Sequence, residues 1–178
     1  MKSTMITTGF CLLVVAVAAV SVANEPTSSP KTTPTKTLHC EVPCGIYADQ
    51  MRFEQMLEDT ATIAKAIKSI NEFADSLASE PATGKGINQV SRWVSTKENH
   101  ATNTQHIVAQ YFLTQRIKSD HKDYTGQLAT AHRVMVAAMK CKQDADPATA
   151  ETLRKAILDL YRAYEGKEPG ADLHGQKK

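Results

Sequence analysis

The chain has 178 residues, 42% of them hydrophobic and 22% charged, which suits one globular domain and leaves little room for two. Aromatic residues make up 6%, and Gly and Pro together number 15, which argues against an all-β sandwich and against a low-complexity chain. A net charge of +2 implies no basic surface for nucleic acid, and no Walker loop, GxSxG or HExxH motif occurs.

The first 23 residues read as a secretory signal. Lys2 precedes an apolar run from Phe10 to Val20, and the small residues Ser21, Val22 and Ala23 follow where a signal peptidase cuts. The run is shorter than the ~20 apolar residues that a spanning helix needs. Cys11 lies inside it and is set aside from the chemistry. Residues 24–38 contain Pro26, Pro30 and Pro34 among many Thr and Ser, a composition that cannot bury a core and suits a linker or propeptide. Removal of 1–38 takes away Lys2, Lys31, Lys36 and Glu25, leaving 18 basic and 18 acidic residues in 39–178. That domain is formally neutral, so any attraction for an anion has to be local.

His39, Cys40, Glu41, Val42, Pro43, Cys44, Gly45, Ile46 and Tyr47 come next. Their spacing leaves two readings open. An exported chain commonly oxidises such a Cys pair, so Cys40 and Cys44 could close a small disulfide loop. They could equally bind a metal. Zinc is disfavoured because no second Cys/His pair stands at zinc spacing, and the haem motif CxxCH is absent. If the chain began at His39, its α-amine, the Cys40 backbone nitrogen and the two thiolates would form a planar N₂S₂ set, with the imidazole above it. Such donors favour Ni(II) or Cu(II).

The remainder predicts four helices. The first carries Phe53, Leu57, Thr60, Ile63, Ile67, Ile70, Ala74 and Leu77 at three- and four-residue steps, and ends at Pro81 and Gly84. The second runs through Ile87, Val90, Val94, Ala101, Thr104, Val108 and Tyr111 to Ile117, before a turn at 119–121. The third carries Leu128, Ala131, Met135 and Ala138; the fourth starts at Asp146-Pro147 and carries Leu153, Ile157, Leu160 and Tyr164. Short connections predict an all-α, up-down antiparallel four-helix bundle, with 166–178 as a loose tail. Trp93, Met135, Met139 and the tyrosines are expected in the core, and so is the lone Cys141. His106, His121, His132 and His174 have no metal spacing and are expected at the surface or at helix ends.

The pattern HCxxPCGxY followed by a helical body resembles the nickel-containing superoxide dismutases. His39, Cys40, Pro43, Cys44, Gly45 and Tyr47 match the nickel-hook motif, and Lys97-Glu98-Asn99-His100-Ala101 is similar to the family's second-helix KExxA segment. The resemblance spans roughly residues 39 to 165. It implies one redox-active nickel per subunit, cycling between Ni2+ and Ni3+, held by the His39 amine and imidazole, the Cys40 backbone nitrogen and the Cys40 and Cys44 thiolates. It implies disproportionation of superoxide anion to O₂ and H₂O₂, and a homohexamer of bundle subunits. A maturation protease would expose His39, leaving no membrane segment after processing, in an exported protein of the periplasm or extracellular space. Tyr47 resembles the tyrosine that lines the small-anion entrance, and it and His39 are the expected catalytic residues. Glu54 is the expected support of the imidazole. Where the family often has an arginine, ungapped matching gives His100. The family's Asp-Pro after the motif tyrosine is replaced by Ala48-Asp49, and its Trp and Tyr-Phe pair on the second helix is replaced around Phe112 to Arg116. The rival readings are a secreted nickel- or copper-binding helical protein without turnover, and an interaction protein with a Cys40–Cys44 disulfide.

Overall fold

Each apolar stripe becomes a helix. The computed structural model describes residues 40–79, 83–170 and 173. The chain divides into units 1–37 and 38–178, and every described residue belongs to the second. The signal, the linker, His39, Pro81 and His174 therefore lie outside the described residues. Helix α1 is Asp49–Ser79 and α2 is Gly84–His106, which continues directly into a π-helical segment, Ile107–Arg116. Helices α3 and α4 are Tyr124–Gln143 and Pro147–Glu165.

Specific contacts at four helix pairs fix the antiparallel order. Asp49 meets Arg116 and Asp59 meets His100, so α1 and α2 run in opposite directions. Gln105 donates to Met135 O and Lys97 to Cys141 O, reversing α3 on α2. Gln127 donates to Ala163 O, reversing α4 on α3. Tyr164 reaches Asp49, and Asn71 reaches Ala145 O just before α4, reversing α4 on α1. Each helix packs on its two sequence or ring neighbours, which is the expected up-down bundle.

The helix ends carry their own signals. The Thr83 hydroxyl accepts from Gly86 N, and the Asp146 carboxylate accepts from Ala148 N with Pro147 in the first turn. Gly166, at φ +68, ends α4 in the left-handed conformation that a side chain would strain. The core is built on fully buried Phe53, Ile63, Ile67, Val108, Phe112, Val134, Leu153, Ile157 and Leu160. Each such burial contributes roughly 1.5–3 kcal/mol. Phe53 lies against Phe112, Tyr161 and Tyr164 with ring centroids 4.7, 5.0 and 6.0 Å apart, placing an aromatic cluster directly beneath the start of α1.

Several core expectations need correcting. Ile87, Val94 and Met139 are exposed, Ala74 is exposed, and Trp93 is half-buried with Lys65 over its ring. For the residues of α1 and α2 the reason is length. Helix α1 has 31 residues, about 46 Å, against 19 residues or about 28 Å for α4. The far end of α1 and the first turns of α2 therefore outrun the four-helix body. The second helix is not α-helical to Ile117, because its last turns open into the π segment. In the tail, Leu173 is buried in the core rather than loose. Cys141 is buried as expected, and burial pushes its thiol up. Lys97 is buried too, and its ammonium donates to Cys141 O and Lys142 O. Those carbonyls are among the last of α3, which have no partner within the helix. Lys97 thus caps α3 from its neighbour. Among the described residues no helix is long and apolar enough to cross a membrane.

Candidate metal centre

The strap from Cys40 to Ala48 lies against the start of α1 and the π segment. Gly45 turns it at φ +78, a conformation that favours glycine. The Cys44 and Cys40 sulfurs lie 4.0 Å apart, far beyond the ~2.05 Å of a disulfide. Cys44 is exposed and Cys40 half-buried. The Cys40 thiol is pushed up by its hydrogen bond with Cys44 and then by that neighbour's charge. Two thiolates so close repel, and a cation between them removes the penalty.

Gln115 fixes the strap. Its side chain is buried, donates to Val42 O at 2.5 Å, and accepts from the Cys44 thiol at 3.4 Å. Asp49 fixes the strap's far end. Its Oδ2 accepts from Arg116 at 2.5 Å and from the Tyr164 hydroxyl at 2.8 Å. Its Oδ1 lies 2.5 Å from the Tyr111 hydroxyl, whose oxygen is also 2.9 Å from Tyr47 O. One phenolic proton serves either acceptor. Burial raises the Asp49 carboxyl, but the bonds from Arg116, Tyr111 and Tyr164 outweigh it and hold the group below the usual range. The Tyr47 ring stands edge-on to Tyr111, centroids 6.5 Å apart, and is 42% exposed. A phenol so placed is available to solutes at the strap. His106 lies 3.0 Å from Glu41, tying the strap to α2 as well.

The other residues expected at the centre take different partners. Glu54 is exposed and accepts from Gln50. His100 Nδ1 lies 2.6 Å from Oδ1 of buried Asp59, whose Oδ2 accepts from Asn103 at 2.7 Å. His100 precedes His106 by six residues, about 9 Å of helix, so this pair joins α1 and α2 deeper in the bundle than the strap. Glu54 and His100 thus engage different partners, and His39 lies outside the described residues. Among the described residues no group of three His, Cys, Asp or Glu side chains converges on one point. The two thiols still fit a metal ion: sulfurs 4.0 Å apart can both reach one ion at ~2.3 Å, the thiolate bond length known for zinc.

The profile of the nickel-containing superoxide dismutases matches residues 34–168, three quarters of the chain. The chain belongs to this family. It is therefore an oxidoreductase whose cofactor is nickel and whose substrate is superoxide. Comparison with curated proteins and with solved structures gave no match. For this dismutase, Gln115, Asp49, Tyr111, Arg116 and Tyr164 are the residues that sequence reasoning missed. For Gln115 and Arg116 the signal was the departure from the family pattern around Phe112 to Arg116, where Thr114, Gln115 and Arg116 interrupt an apolar run.

Proposed function

We propose that residues 39–47 are the nickel hook of this dismutase, and that it disproportionates superoxide by 2 O₂⁻ + 2 H⁺ → O₂ + H₂O₂. The observation that carries the reading is the pair of sulfurs 4.0 Å apart on a strap buttressed by Gln115 and Asp49. Cys40 and Cys44 would hold the ion, with the His39 amine and imidazole and the Cys40 backbone nitrogen. Nickel, when bound, supplies the one-electron redox change that protein side chains lack. The chain's own part is positional. Gly45 turns Cys44 back toward Cys40, Gln115 holds the turn, and the half-exposed Tyr47 phenol can donate a hydrogen bond to a small oxyanion.

The ligand set needs a free amine at His39. We therefore propose removal of a signal, residues 1–23, and of a propeptide, 24–38, by a signal peptidase and a maturation protease. This places the mature enzyme outside the cytoplasm, in the periplasm or beyond, with no membrane segment. A homohexamer is the proposed assembly, and the exposed Ile87 and Val94 on the protruding end of α2 support burial against other copies. N-terminal sequencing of purified active protein, with nickel analysis and a superoxide assay, tests the reading. The expected chain begins at His39 with one nickel per subunit. An active chain beginning upstream would refute the hook, and bound nickel without turnover would leave a metal carrier.

A further inference from the structure

The geometry points to Arg52 as the residue that docks the anionic substrate beside the hook, an inference that rests on the reading of 39–47 as the nickel centre. A cleft of about 260 Å³ opens between the strap, α1 and α2, with Glu41, Tyr47, Arg52, Asn103, His106 and Tyr111 among its walls. The Arg52 guanidinium carbon stands 4.8 Å from the centre of the Tyr47 ring. That contact holds a cation over the same phenol that borders the hook. Arg52 Nε is shielded from solvent and has no hydrogen-bond partner among the described residues. Such an unmet donor is costly unless something supplies an acceptor.

The cleft walls carry one arginine, Arg52, and one carboxylate, Glu41. Arg116, Arg154 and Arg162 each lie against a carboxylate, whereas Arg92 and Arg133 make no ion pair among the described residues but do not line this cleft. Arg52 makes no ion pair among the described residues. The acid in the cleft wall, Glu41, is engaged by His106 at 3.0 Å. Residues 39–178 are formally neutral, so no global field draws superoxide in; a fixed charge beside the hook supplies a local one. The dimensions suit a small monoanion. Arg52 binds it and hands it to the adjacent centre; it neither ligates nickel nor transfers a proton.

The test compares wild type with Arg52→Gln and Arg52→Lys in nickel-loaded mature enzyme. Loss of the charge should lower kcat/KM about threefold to tenfold with kcat at saturating superoxide retained, and Arg52→Lys should restore most of it. Nitrate, a redox-inert monoanion, provides a readout separate from turnover. It should saturably shift the backbone amide signals of Tyr47, Arg52 and Asn103 in wild type, and not in Arg52→Gln. An unchanged kcat/KM in Arg52→Gln, or no saturable nitrate shift in wild type, overturns the proposal. So does loss of nickel in Arg52→Gln, which would make Arg52 a support of the strap. Nitrate shifts that need Arg52, in a nickel-loaded wild type without dismutase activity, would sustain the anion site while refuting the hook as the centre of turnover.

Discussion

Asp49 shows how one carboxylate can hold the strap. It receives donors from the π segment and from α4, and sits where the strap becomes α1. Its pKa is depressed, so its contribution is present above the ordinary carboxylate range and is lost only as pH falls through the lowered value. The strap's anchor therefore holds across neutral pH and fails in strong acid. The tyrosines carry the opposite sign. Burial, and then the bond to Asp49, push Tyr164 up to about 12, and Tyr111 is raised as well. Their stabilising effect is complete below the usual phenol pKa of ~10 and is lost as pH rises through the raised value. Tyrosinate absorbance should therefore show a late step near pH 12 in wild type. Asp49→Asn removes the charge while keeping the shape, and should move that step toward ~10. An alkaline titration identical in the two proteins would show that Asp49 does not govern these phenols. The sequence displayed the proposed ligands because chemistry concentrates unlike residue types at 39–47. It did not display Asp49, since a lone acid after Ala48 looks like any helix start.

The π segment explains why three distant side chains meet the strap. Its backbone bonds join residues five apart, as in Ile117 N to Phe112 O at 2.9 Å. Tyr111 and Arg116 are five apart and share the face that meets Asp49, with Gln115 beside them. In an α-helix a five-residue step would set them about 140° apart, and one of the two would leave the site. Apolar spacing could not reveal this, because Val108, Tyr111 and Phe112 suit an α stripe equally well; the five-residue step between Tyr111 and Arg116 was the available sign. Gln115→Leu isolates the segment's contribution. It leaves Val42 O and the Cys44 thiol without their partner, at a cost of about 1–3 kcal/mol. Denaturant unfolding of the metal-free protein should show that loss, with far-UV circular dichroism unchanged. Nickel affinity of the mature chain should fall roughly tenfold, the equivalent of ~1.4 kcal/mol of strap ordering. Wild-type values for both would mean that Gln115 merely fills space.

Over the whole molecule, the bundle and the proposed hook rest on different residues. The four-helix order was legible because Phe53, Ile63, Ile67, Leu153, Ile157 and Leu160 repeat at helical steps and all end fully buried. Ile87 and Val94 share the same periodicity yet remain exposed, since periodicity shows which face is apolar and not how far a neighbouring helix extends. The hook adds little to this core: Val42 packs at its edge, and Cys44 is exposed. Cys40→Ser and Cys44→Ser should therefore leave the metal-free protein within about 0.5 kcal/mol of wild type, with the same helicity. Nickel separates them. A ligand that binds only the folded state stabilises it by RT ln(1 + [L]/Kd), about 4 kcal/mol at a thousandfold excess over Kd. Chains beginning at His39 should show that rise in thermal midpoint when nickel is added to wild type, and neither serine variant should show it. An equal rise in the variants would put the nickel elsewhere. A joint loss of helicity without metal would instead make a Cys40–Cys44 disulfide part of what holds the bundle together.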